Sequence, residues 1–310
     1  MKTTDVLGCV GGATFFLLTS TFVPFFGPFF CLLTPLPFLY YSTKLGIHDG
    51  VKLAGLTLLF IFLFARLTGY PQLIHICIEL SALGLVLSVL FRKKFGIGQT
   101  IFLAAGFMVL LNLGYLFFIS LSGEFGPFEM ITQYLHEHLR VTIQAYEEMG
   151  ISKENLHEIE TYGNTIIETV SLSLMVIGIG FCVWLNVVTA KPVFKWGKLE
   201  YPGFVPMDRW QTPESMIWGV IGSGFALFLL SGIIKLVAAN VLIILMFIYL
   251  FQGMSIILFF LNKYHLPPWI RLGVYFLIII QQLFLVLLAI AGLFDQWIDF
   301  RKLKAESETS

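Results

Sequence analysis

Stretches of about twenty mostly apolar residues follow one another along this chain, and one of them, AANVLIILMFIYLFQGMSIILFFLN at 238–262, carries no charged side chain. An α-helix needs about 20 such residues to cross the hydrocarbon of a bilayer. Inside hydrocarbon every backbone polar group must be satisfied by the chain itself, which leaves helices or closed barrels as spanning structures. Charged residues make up only 12% of the 310 residues, against about 25% in soluble domains. A globule of this size could not cover its surface with so few. The chain therefore reads as an all-α, polytopic integral membrane protein whose first partner is the lipid bilayer. Its formal net charge of zero provides no basic footprint for nucleic acid, so no nucleic-acid partner is expected.

Nine segments are candidate spans: roughly 6–23, 26–43, 51–68, 72–91, 98–121, 163–189, 213–234, 238–262 and 268–293. The block over 6–43 is interrupted by Pro24, Gly27, Pro28, Pro35 and Pro37. It reads as a retained first helix followed by a broken or partly re-entrant one, which must face protein or water. Cys9, Cys31, Cys77 and Cys182 lie in apolar runs without metal-ligand spacing and read as small apolar residues. The excess of Lys and Arg in alternate loops puts the N-terminus on the inner side of the membrane. Nine crossings, however, leave the basic tail FDQWIDFRKLK outside, against that bias. Either the tail is external or one segment is not a full crossing.

Four parts are expected: a six-span domain at 1–190, an interfacial basic linker at 191–212, a three-span region at 213–294 and a polar tail at 295–310. An acidic insertion at 122–162 interrupts the first. In it Phe128, Ile131, Leu135, Leu139, Ile143 and Tyr146 recur at helical spacing, which predicts an amphipathic helix in an external cap. Gly150 ends it, and Ser152 is placed to cap a second helix leading into the sixth span. The linker ends in TPES, with Thr212 as N-cap and Pro213 at the first helical position of the seventh span.

The candidate site is Glu79. A carboxylate in a span costs roughly 2.5–3.5 kcal/mol on insertion scales and marks a functional position by default. His75 lies four residues earlier on the same face. Counted from Pro71, Glu79 is about 12 Å into the membrane from the outer side. Asn112, Tyr115, Asn164 and Glu168 reach similar depth, and Arg66 stands at the outer end of the third span as a countercharge. Three readings compete: a pocket for a cationic or hydrogen-bonding solute, a structural pair that locks helices, and a proton relay. Asn240, Gln252, Gln281 and Gln282 are expected in interhelical hydrogen bonds. Gly8, Gly12 and Ala13, with Cys9, form a small-residue face suited to close helix contact.

Catalytic and cofactor motifs are lacking: no HExxH, P-loop or GxSxG occurs. His136 and His138 are two apart and splay to different sides of a helix, so neither metal nor cofactor is expected. Asp295 and Asp299 are the nearest thing to catalytic carboxylates, and pairing with Arg301 or Lys302 at a helix end is their simpler reading.

The pattern WQTPES…AANVLIILMFIYLFQGMSIILFFL…LPPWIRLGVYF…GLFDQWIDFRK resembles the YybS-like family of bacterial predicted membrane proteins, a domain of unknown function. Asn240, Gln252-Gly253 and the 295–301 stretch are its most specific marks. The N-terminal GGATFFLLTSTFVPFFGPFFCLLTPLPFLYYSTKLGIHDGVKLAGL is similar in style to the substrate-binding S-components of energy-coupling-factor importers. That resemblance implies six helices, a pocket in the outer half, and a first helix whose small residues meet a coupling subunit. Here those residues would be Cys9 and Ala13 or Gly8 and Gly12; the three further helices and the acidic insertion depart from the pattern. The expectation is a non-enzymatic, small-solute-binding or transport component served by an ATPase and a coupling subunit. The alternative is a scaffold that organises envelope proteins through its acidic cap and C-terminal helices.

Overall fold

The computed structural model describes residues 2–23, 26–93, 95–121 and 126–303, and among these every regular element is helical. Pro24, Glu124 and the tail from Lys304 lie outside the described residues. The helices are α1 (Thr3–Phe22), α2 (Gly27–Cys31), α3 (Pro35–Leu45), α4 (Ile47–Thr68), α5 (Gln72–Arg92) and α6 (Ile97–Ser120). They continue with α7 (Pro127–Glu148), α8 (Lys153–Trp196), α9 (Met216–Leu229), α10 (Ile233–Lys263), α11 (Pro268–Ile280) and α12 (Gln282–Ile298), with a 3-10 turn at Met207–Arg209.

Helical sequence stands at each of the nine expected positions, but not as nine full crossings. Six helices are long and apolar enough to span: α1, α4, α5, α6, α8 and α10. The segment over 26–43 is two short helices, with Pro28 in the first turn of one and Pro35 at the start of the other, where the missing N–H is tolerated. The seventh segment is the 14-residue α9. The ninth is α11 and α12, bent by 102°. Neither proline nor glycine marks that bend; Gln281 is extended there, and its N–H is kept by Leu277 O at 3.1 Å.

Two compact units are present: Met1–Leu121 with Gly178–Phe204, and Ser122–Ile177 with Val205–Ser310. In the first, α3 packs against α1, α4 and α5. Cys9, Ala13, Phe38, Leu53 and Ala54 form the cluster at that junction. Gly84 lets α5 come up against the Pro35 carbonyl and Phe38. The far end of α3 is held twice over. Lys44 pairs with Asp5 at 2.6 Å, and Arg92 donates to the carbonyls of Ser42 and Thr43. The start of α1 and the ends of α3 and α5 thus share one end of the unit. Beyond α8, Tyr201 OH donates to Val187 O at 2.8 Å, and burial pushes its phenol up to about 12.

In the second unit, α7 lays its apolar stripe on the first turns of α8. Ile131, Leu135, Leu139, Ile143 and Tyr146 are half-buried, while Phe128 at the start is exposed. Leu139 sits on Gly163, and His136 Nδ1 lies 2.9 Å from Asn164 Oδ1. Ser152 Oγ accepts from Asn155 N at 3.4 Å. The helix it caps and the sixth span are one element of 44 residues, about 66 Å long.

The expected start of the seventh span is displaced. Thr212 does not cap it: its N–H goes to Gln252 Oε1 at 3.0 Å, and its hydroxyl is buried without a partner. The chain makes a turn over 213–215 before α9 begins at Met216. Helices α11 and α12 both meet the C-terminal end of α10. Arg271, in the first turn of α11, bonds Asn262 Oδ1 at 2.8 Å and the carbonyls of Leu261 and Leu266. Phe300, Arg301 and Lys302, just past α12, line a pocket with Asn262 and Lys263. The bent pair therefore leaves and returns at the same end of α10.

Candidate functional site

Glu79 lies two turns into α5, half-buried. Its Oε1 is 2.9 Å from His75 Nε2 one turn earlier. That contact stays within α5, and Oε1 is buried with no well-aligned donor besides this histidine among the described residues. His75 in turn stacks on Tyr115 of α6, with ring centroids 3.7 Å apart and planes at 20°. The imidazole thus bridges α5 and α6, while the carboxylate beside it makes no hydrogen bond or ion pair to another helix among the described residues.

The other expected site residues are placed differently. Asn112, half-buried on α6, gives its Nδ2 to Met108 O of its own helix at 2.9 Å. Arg66, in the last turn of α4, is exposed and forms no ion pair with Glu79 among the described residues. Glu168 is exposed on the part of α8 that belongs to the second unit, whereas Glu79 belongs to the first. The small-residue face of α1 is turned inward: Cys9 and Ala13 are fully buried, and Gly8 and Gly12 face Tyr41 and Pro37 of α3.

Asn186 of α8, which drew no attention in the sequence, serves the α2–α3 break. It is fully buried, and its Nδ2 donates to Leu32 O at 2.8 Å. That carbonyl lies in the turn between two short helices and has lost its helical partner. The signal was there in FCVWLNVVTA, a lone amide in a long apolar run.

A second polar centre lies in the second unit. Asp295 and Arg301 form an ion pair at 2.7 Å with both side chains fully buried. Gln252 Nε2 donates to Asp295 Oδ2 at 3.1 Å, while its Oε1 accepts from Thr212 N. Phe300 N donates to Asp295 Oδ1 at 3.1 Å, and Arg301 gives its other terminal nitrogen to the carbonyls of Asp208 and Trp210, each at 2.9 Å. With so many partners the two charges are a structural pair. Asn240 makes another buried link. Its Oδ1 accepts from Ser173 N and its Nδ2 donates to Thr169 O, both at 2.8 Å. Those two backbone groups lie one turn apart on α8, so the amide fastens α10 to α8.

A bundle of apolar helices with a carboxylate held inside a span and a charged pair sealed inside another unit defines a polytopic helical membrane protein. The chain belongs to the family described as Predicted membrane protein (DUF2232), whose model matches residues 13–296. It is similar to Uncharacterized protein YybS of Bacillus subtilis (strain 168), with 20% identity over 294 residues covering 92% of each chain. No solved structure matches.

Proposed function

We propose that this protein binds a small cationic or hydrogen-bonding solute at Glu79, as a binding or transport component of a bacterial cytoplasmic membrane. The observation that carries the reading is the buried Oε1 of Glu79, whose close partner among the described residues is a histidine of its own helix. A carboxylate kept to lock packing would reach across to another helix, as Asp295 does through Gln252. Glu79 does not. An ionisable group that bonds nothing across helices, yet carries the insertion cost of its charge, is suited to a ligand that brings its own donor.

With the N-terminus inside, Glu79 stands in the outer half of the membrane and its occupant enters from outside. A coupling subunit and ATPase would then have to engage the exposed side of α1, at Leu7, Gly11 and Phe15, because the small-residue face is filled by α3. The role is one of binding rather than catalysis.

The test is a thermal-shift panel on the purified protein in mild detergent, using alkali cations, polyamines and heteroaromatic cations as probes. At least one class should raise the melting temperature of the wild type and leave that of Glu79→Gln unmoved. A panel to which both respond alike would end the Glu79 assignment.

A scaffold role has one observation in its favour. Helix α7 exposes Phe128, Tyr134 and Val141 among its acids. Alanine at these three positions should then release co-purifying envelope proteins without changing any solute shift.

A further inference from the structure

The network around Asp295 leaves a pocket of about 460 Å³ at the C-terminal end of α10, within the usual range of about 300–1,000 Å³ for small-molecule sites. Among the described residues four cations line it, Arg209, Lys263, Arg301 and Lys302, against the carboxylate of Asp208, and Asp295 behind the pocket offsets the charge of Arg301. They come from three separate segments: the 3-10 turn, the last turn of α10 and the chain beyond α12. Cations at helix C-termini offset the helix dipole, which accounts for Lys263 alone. It does not account for Arg209, on no α-helix, or for the convergence of all four on one cavity. Arg301 is 2% exposed and fixed by Asp295, yet its Nε is buried without a partner. Asp208 is partly withdrawn by the Asn262 amide, which donates to Oδ2 at 2.9 Å. Within the lining, positive charge therefore exceeds negative.

The depth of the pocket is also marked. Helix α10 has 31 residues, about 46 Å, so its end lies beyond a hydrocarbon core of about 30 Å. Tyr264, Trp269 and Trp297 are exposed at this same end, as aromatic side chains are at the level of lipid headgroups. We infer that this pocket is a phosphate-binding site and that an anionic phospholipid headgroup is the ligand its position favours. The site is independent of Glu79. Through it, the basic end of the chain holds one lipid against the α10–α12 contact.

The full-length protein, delipidated in an uncharged detergent, would be titrated by native mass spectrometry with phosphatidylglycerol, with phosphatidylcholine and with inorganic phosphate. Wild type should retain phosphatidylglycerol over phosphatidylcholine, and Lys263→Gln with Lys302→Gln should weaken that retention about thirtyfold, the scale expected for two lysines lost from an anionic surface. Inorganic phosphate that displaces the lipid, with the same sensitivity to the two lysines, would also support a phosphate site but make a soluble phosphate its source. Equal retention of both lipids, unchanged in the double variant and unaffected by phosphate, would overturn the inference. Arg209→Gln, outside every α-helix, gives the same reading if the double variant does not fold.

Discussion

Three side chains show how this protein handles polar groups where water is absent. Asn186 gives its amide to the Leu32 carbonyl that the α2–α3 break sets free, so irregular backbone is tolerated at membrane depth. Asp295 and Arg301 neutralise each other, with further hydrogen bonds supplied by Gln252, Phe300, Asp208 and Trp210. Removing one partner strands the other charge. Asp295→Ala should therefore lower stability by about 3–5 kcal/mol, whereas replacing both residues together by Leu and Met should do much less harm. Denaturation in mixed micelles compares the two; equal losses would mean that the pair is not the source of the effect. The pairing was legible, because two acids and two bases crowd one helix end. The depth to which Arg301 is buried was not, since it depends on the linker strand folding over it. Glu79 and His75 were legible from a spacing of four. Counting along a helix gives depth but not direction, which is why Arg66 and Glu168 stood at the right level in the sequence without a fixed place around Glu79.

At the scale of elements, backbone contact decides the packing of the C-terminal helices. Gly253 of α10 faces the Leu288 carbonyl, and Gly292 of α12 faces the Tyr249 carbonyl and Gly253 N. Small residues permit such an approach between helices in lipid. A methyl at Gly292 would meet backbone that cannot give way. Gly292→Ala is expected to destabilise by roughly 1–3 kcal/mol, while Gly273→Ala, with open space around it, should be near neutral. A comparison of melting temperatures checks both, and equal effects would refute the close contact. Most elements were readable from apolar run length and proline punctuation. The break at Gln281 was not, because LIIIQQLFL holds no residue that forbids a helix. The displaced start of α9 was hidden for another reason: Thr212 has the chemistry of a cap, but Gln252 of α10 holds its backbone and its hydroxyl meets no helix N–H.

For the whole molecule, the bent α11–α12 pair removes the contradiction in the charge pattern. A ninth full crossing would carry the basic tail away from Lys263 and Arg271; a pair that returns to the end of α10 keeps them on one side, in line with the positive-inside rule. Single cysteines in a cysteine-free background, probed with an impermeant maleimide, test this. Pro206→Cys and Lys302→Cys should react from the same face of the membrane. Glu148→Cys should react from the other, because one uninterrupted α8 separates it from the linker. Labelling of Lys302→Cys from the Glu148 side would restore the ninth crossing.

Our proposal that Glu79 serves a ligand rather than the fold can be decided by purifying wild type and Glu79→Gln from native membranes in mild detergent and measuring retained small molecules by mass spectrometry. A solute retained in stoichiometric amount by the wild type and lost from an equally stable Glu79→Gln is the expected result. No retained solute in either protein, together with a clear fall in the stability of the variant, would make Glu79 a structural residue.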